Sequence, residues 1–234
     1  MFEQLPPYVS IAFILTTVVT VGILLAAVKA VSLDVLPSRL LVFVLPFWII
    51  LTGSLAVYGF YVPTDRFPPR LVLFGVLPTL LFILASLVFF RARLIGKMPL
   101  RLLTLIHVVR IPVELTLFWL CLGGLVPQMM TFEGRNFDLA SGILAFAIYF
   151  LGFSGGKANR RLLLAFNVVG LVLLVNVVSI ALLSLQTPMQ QFGFDEPNRA
   201  VLYFPYIWLP TIIVPIVLFS HLAALWKLAT GRLS

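Results

Sequence analysis

The segment Arg101-Leu-Leu-Thr-Leu-Ile-His-Val-Val-Arg-Ile-Pro-Val-Glu-Leu115 opens an apolar run that is long enough to cross a bilayer. At 100° per residue, His107, Arg110, Glu114 and Cys121 fall within about 60° of one another on one face of this helix. Ionisable groups at membrane depth are costly unless they are paired or hydrated, so this face predicts a functional site. The spacing of Arg110 and Glu114 predicts an ion pair between them.

The composition of the whole chain is that of a multi-pass membrane protein. Hydrophobic residues make up 62% of the 234 residues and charged residues 10%, whereas soluble domains have about 45–50% and about 25%. The net charge of +8 arises from Lys and Arg in short loops between apolar runs, which is a signal of membrane topology and not of nucleic-acid binding. The single cysteine, Cys121, allows no internal disulfide and no thiolate zinc site.

The apolar runs predict an all-α fold in which residues 1–234 form one domain of seven transmembrane helices. No basic residue precedes Lys29, so we expect the first run to be a retained helix and not a signal peptide. The predicted spans are 8–28, 40–61, 71–90, 101–125, 137–153, 162–185 and 201–228.

The basic residues predict an orientation and a common depth for several polar residues. Eleven of the 16 Lys and Arg residues fall in one set of alternate loops, so the N-terminus is predicted outside and the C-terminus in the cytoplasm. His107, Asn167 and His221 each lie about 9 Å along their helix from the basic residue at its cytoplasmic end. Glu114 and Asn176 lie deeper, near the midplane.

Prolines support a polar interior between the fourth, sixth and seventh helices. Pro112 and Pro215 have no N–H, so the carbonyls of Val108 and Thr211 lose their usual helical partners. Such carbonyls are tolerated where neighbouring helices or water satisfy them.

Two outer loops form a second candidate site of carboxylates and arginines. Asp138 is positioned to cap the N-terminus of the fifth helix. The other carboxylates can pair with the arginines and so close the loops, and the alternative is a mouth that binds a cation or an amine. The residues are Glu133, Arg135, Asp138, Asp195, Glu196 and Arg199.

The sequence lacks a complete set of residues for known intramembrane enzyme chemistry. Gly152-Phe-Ser-Gly-Gly156 is followed by basic residues, whereas the serine of rhomboid-type proteases leads into an apolar helix. Lys227 lies at the end of the seventh helix, away from the position that holds retinal in rhodopsins. The two histidines are too few for the three-histidine zinc sites of seven-helix hydrolases.

Three sequence strings carry a resemblance to a known group of proteins. They are Arg110-Ile-Pro-Val-Glu-Leu115, Phe132-Glu-Gly-Arg-Asn-Phe-Asp138 and Leu218-Phe-Ser-His-Leu222. They resemble strings of uncharacterised bacterial integral membrane proteins over the last two-thirds of the chain. The resemblance implies a bacterial cytoplasmic membrane and carries no known activity.

We therefore predict a non-enzymatic membrane protein that binds or translocates a small solute or proton. One alternative is a membrane cytochrome in which His107 and His221 ligate haem b. In either case we expect these two histidines to approach each other. Another alternative is a structural subunit of a membrane oligomer or complex. The predicted ligand-binding residues are His107, Arg110, Glu114, Asn167, Asn176 and His221.

Overall fold

Helices account for the regular structure of this protein. The computed structural model describes residues 5–34, 36–65, 67–153 and 158–232, and these ranges contain no β-strand. The helix α5 (Asp138–Leu151) is apolar and has 14 residues. Six longer helices are apolar enough to cross a membrane, which confirms the all-α class and indicates a multi-pass membrane protein. They are α1 (Pro7–Lys29), α2 (Leu36–Val57), α3 (Leu71–Phe89), α4 (Leu100–Leu122), α6 (Arg160–Leu183) and α7 (Leu209–Ala229).

The helix bounds follow the bounds predicted from the sequence closely, except in α2 and at the start of α7. The predicted span began at Val201, but the chain there forms a 3-10 turn (Ala200–Leu202) and further turns before α7 begins. Pro205 explains the difference, because proline disfavours the helical conformation of the residue before it. The helix α2 ends earlier than predicted because Gly59, at a φ of +68°, terminates it.

The helix α4 lies at the centre of the bundle. It packs against α1, α5 and α7, and α6 packs against both α5 and α7. The helices α2 and α3 lie at the edge, and only 22% of the most apolar stretch of each is buried, compared with 67% for α7. The helix α7 is therefore largely covered by protein, whereas α2 and α3 expose many apolar side chains.

The proline in α4 changes the geometry of that helix next to its polar residues. Pro112 cannot donate to the carbonyl of Val108, and the helix tightens into a 3-10 turn over His107–Val109. With three residues per turn, side chains three positions apart point the same way. His107 and Arg110 are therefore directed to the same side of α4.

Prolines in α3 and α7 coincide with a second kind of departure from α-helical geometry. Leu71–Val76 and Leu209–Ile213 are π-helical turns. Each contains the carbonyl that Pro78 or Pro215, four residues later, leaves without a donor. The two turns pack closely, since a Cβ added at Gly75 would lie 2.9 Å from a threonine methyl of the other turn.

Candidate functional site

Arg110 lies at the centre of the polar interior and is 3% exposed. Its Nη1 donates to a carboxylate oxygen of Asp138 (3.1 Å) and to the hydroxyl of Ser141 (2.8 Å). Its Nη2 donates to the carbonyl of Gly170 (3.2 Å) and to Nε2 of His221 (3.1 Å). One guanidinium thus connects α4 with α5, α6 and α7.

The hydrogen bonds of His221 define its protonation. A guanidinium can only donate, so Nε2 of His221 must accept from Arg110. The proton of this neutral imidazole is then on Nδ1, which donates to Oδ1 of Asn167 at 3.0 Å. The amide of Asn167 in turn donates to the carbonyl of Leu163 at 2.8 Å. Asn167 therefore holds His221 in the tautomer that accepts from Arg110.

His107 stacks directly on His221, as the matched depths predicted. The ring centroids are 3.8 Å apart and the planes are inclined by 19°. Both nitrogens of His107 are buried and have no hydrogen-bond partner. This neutral imidazole therefore has one hydrogen-bond donor and one acceptor that the described residues do not use.

Glu114 lies further out along α4, and its predicted ion pair with Arg110 is wrong. The one ion pair among the described residues joins Arg110 to Asp138, because Arg110 reaches across to α5 and α7 while Glu114 extends toward the outer loop. One carboxylate oxygen of Glu114 accepts from the amide of Asn136. Its other oxygen is buried and has no hydrogen-bond partner among the described residues.

Asp138 belongs to the interior and not to the outer loop, so its predicted role as an N-cap is also wrong. It is the first residue of α5, its side chain caps nothing, and it is 6% exposed. Its backbone N–H donates to Oδ1 of Asn136 at 3.0 Å. Its carboxylate is used instead to neutralise Arg110.

The remaining outer-loop candidates do not form the predicted ion pairs. Within the described ranges no ion pair closes these loops, in keeping with the small gain from pairing exposed charges. Asn176 lies beside this loop, where it donates to the carbonyl of Arg135 at 2.9 Å, and does not join Asn167. Glu133, Arg135, Asp195 and Glu196 are exposed and Arg199 is partly buried.

The sequence did not indicate three groups of this site. Ser141 could have been found, since it lies three residues after Asp138 on one face of an apolar helix. The carbonyl of Gly170 and the loop amide of Asn136 carry no comparable signal. They become partners only through contacts between segments distant in sequence.

The residues present do not fit haem or a metal ion. Ligation by two histidines places one imidazole on each face of the porphyrin, but here the rings of His107 and His221 stack on each other. Both nitrogens of His221 are also engaged. The described residues contain no group of three His, Cys, Asp or Glu that could hold a metal, and Ser154 of the Gly-x-Ser-Gly string lies outside them.

Comparison with known families covers the region that contains this site. Residues 68–229 match the model of a family described as Domain of unknown function (DUF8737). The chain belongs to this family. The DUF8737 region runs from just before α3 to the end of α7 and so contains every member of the polar interior. No curated protein and no solved structure matches the chain.

Proposed function

We propose that this protein binds a small solute or proton in the polar interior between α4, α5, α6 and α7 and carries it across the membrane. The observation that supports this most directly is the buried, unpartnered oxygen of Glu114. Arg110 provides one positive charge for the two carboxylates of Asp138 and Glu114. Because an unpaired charge is costly in such a place, Glu114 takes up a proton or a cation.

A continuous series of hydrogen bonds extends from Glu114 toward the other side of the bundle. His107, with its two free nitrogens, stacks on the histidine of this series. Side chains with hydrogen-bonding atoms that the described residues do not use therefore lie at both ends. The series comprises Glu114, Asn136, Asp138, Arg110, His221 and Asn167.

The proposal includes a membrane arrangement. All seven helices span the bacterial cytoplasmic membrane, with the N-terminus outside and the C-terminus in the cytoplasm. The distribution of 16 Lys and Arg residues supports this orientation, although Arg66 and Lys157, which contribute to it, lie outside the described residues. Glu114 then faces the outer half of the membrane and His107 the inner half.

Proton flux into liposomes tests the proposed function. Purified protein is reconstituted in liposomes that contain a pH-sensitive dye, and a potassium diffusion potential is imposed with valinomycin. We expect proton flux above that of protein-free liposomes. Glu114→Gln should lower this flux at least tenfold, because the amide keeps the bond from Asn136 but cannot take up the proton.

Glu133→Gln is the matched control, since the same substitution is made at an exposed glutamate. We expect its flux to equal that of the unsubstituted protein. Flux no greater than in protein-free liposomes, or equal flux in the folded Glu114→Gln variant, would contradict the proposal.

A further inference from the structure

A cavity of about 100 Å³ lies beside Glu114, lined by residues of α3 to α7 and of the loops before α5 and α7. We infer that it binds a small primary ammonium ion with a short apolar chain. The inference rests on the proposed function, because it names the class of solute. Glu114 and Asp138 both line the cavity and are the charged groups in its described wall.

The wall offers hydrogen-bond acceptors that the protein leaves unused. One oxygen of Glu114 and Oδ1 of Asn198 are buried without partners. The amide nitrogen of Asn198 donates to the carbonyl of Ala181 at 3.1 Å, which fixes the oxygen of the side chain as the free atom. With Asp138, the wall presents acceptors from three residues, and a primary ammonium has three N–H donors.

The rest of the wall favours an organic cation over a metal ion. Calcium takes six to eight oxygen ligands and magnesium keeps a shell of water, but most of the lining side chains are apolar. They include Val113, Leu117, Met130, Val177 and Val201. A volume of about 100 Å³ corresponds to roughly three water molecules in the liquid, so the apolar chain must be short.

Both π-helical turns contribute to this wall. Leu71 and Val76 come from the turn in α3, and Leu209 and Pro210 from the turn in α7. Turns of this kind are rare and occur frequently at functional sites. Two of them therefore lie at the cavity that also holds the unpartnered acceptors.

Calorimetric titration of the purified protein in detergent, in an amine-free phosphate buffer, tests the inference. The probe is n-propylammonium. The comparison ligands are 1-propanol, which has a similar shape without the charge, and tetramethylammonium, which has the charge without N–H donors. We expect saturable binding of n-propylammonium, and binding of the other two at least tenfold weaker.

Two variants at the cavity and one control outside it test where this binding occurs. Glu114→Gln should weaken n-propylammonium binding at least tenfold, and Glu133→Gln should leave it unchanged. Ala181→Leu fills the apolar part of the wall and leaves the carboxylates in place, so it should remove amine binding while proton flux persists.

The possible outcomes separate this inference from the proposed function. Equal binding of 1-propanol, or amine binding unchanged in Glu114→Gln, overturns the ammonium site. Proton flux that depends on Glu114 without any binding of n-propylammonium also overturns it and leaves the proposed function intact. If the folded protein shows neither proton flux nor binding of n-propylammonium, the ammonium site and the proposed function are both contradicted.

Discussion

Arg110 uses four of its five N–H groups on partners from three other helices, and its Nε has none. Each partner would lose a donor if the guanidinium were removed. Asp138 would also become an uncompensated buried charge. The arginine is thus a structural centre of the bundle as well as the positive charge of the site.

A double-mutant cycle should assign the partner of Arg110. Arg110→Met should cost about 3–5 kcal/mol of unfolding free energy, the range for breaking a buried pair. Adding Asp138→Leu should restore part of this loss, since the second substitution removes the stranded charge. Adding Glu114→Leu should restore less. Unfolding in mixed detergent measures these three variants together with Asp138→Leu alone and Glu114→Leu alone. A larger coupling to Glu114 than to Asp138 would mean that the ion pair is misassigned.

Gly170 permits the close approach of His221 to α6. A Cβ added there would lie 2.6 Å from Cε1 of His221, so Gly170→Ala should displace the ring and lower stability by about 1–3 kcal/mol, as overpacking does. Gly22→Ala is the control, because nothing lies within 4 Å of that position and alanine stabilises a helix interior. Thermal unfolding should move in opposite directions for the two variants.

At the scale of single elements, the turn in α4 determines how the histidine pair meets Arg110. Uniform helical spacing predicted one polar face on this helix. The 3-10 turn at His107–Val109 brings the side chains of His107 and Arg110 into closer alignment on that face. Pro112 was recognisable in the sequence. The conformation that the chain adopts around Pro112 was not recognisable, because a freed carbonyl can be accommodated by a tighter turn, a wider turn or a kink.

Removal of this proline should separate stability from function. Pro112→Ala restores the donor for the carbonyl of Val108 and removes a helix-breaking residue, whose cost is about 3 kcal/mol in a helix interior. We expect a higher unfolding temperature together with reduced proton flux, since His107 and Arg110 no longer align. Pro46→Ala, at an exposed proline within α2, should raise stability and leave the flux unchanged. Unchanged flux in Pro112→Ala would show that the turn has no functional role.

The sequence predicted the membrane class and most helix bounds because apolar length is a local property. It also predicted one depth for His107, Asn167 and His221, and their contacts place these three side chains at one level of the bundle. It assigned Asp138 to the outer loop because a charged residue between an outer loop and an apolar run resembles a helix cap. Only the packing of α5 on α4 shows that this carboxylate faces Arg110.

At the scale of the whole molecule, the polar residues lie inside the bundle and large apolar side chains lie on its surface. The helices α4 to α7 contribute the polar side chains of the interior, and α2, α3 and α5 present large apolar side chains such as Phe43, Phe74 and Phe146 outward. This distribution fits a bundle that is surrounded by hydrocarbon.

Cysteine labelling should establish the proposed orientation. Cys121→Ala removes the single cysteine, after which Arg93→Cys and Asp195→Cys place exposed thiols on opposite sides. An impermeant maleimide applied to intact cells should label position 195 alone, and opening the cells should add position 93. The reverse pattern would invert the topology, and labelling of both positions in intact cells would exclude seven spans.

The brevity of α5 makes the thickness of the bilayer relevant to the polar site. Its 14 residues extend about 21 Å, whereas the hydrocarbon core is about 30 Å thick. In the seven-span arrangement this hydrophobic mismatch thins the membrane around α5. Asp138 is the first residue of that helix, so the partner of Arg110 lies where the bilayer is most deformed. In this arrangement the acyl-chain length of the lipids affects the ion pair between Arg110 and Asp138. The lipid composition of the host membrane then helps to set the strength of that ion pair.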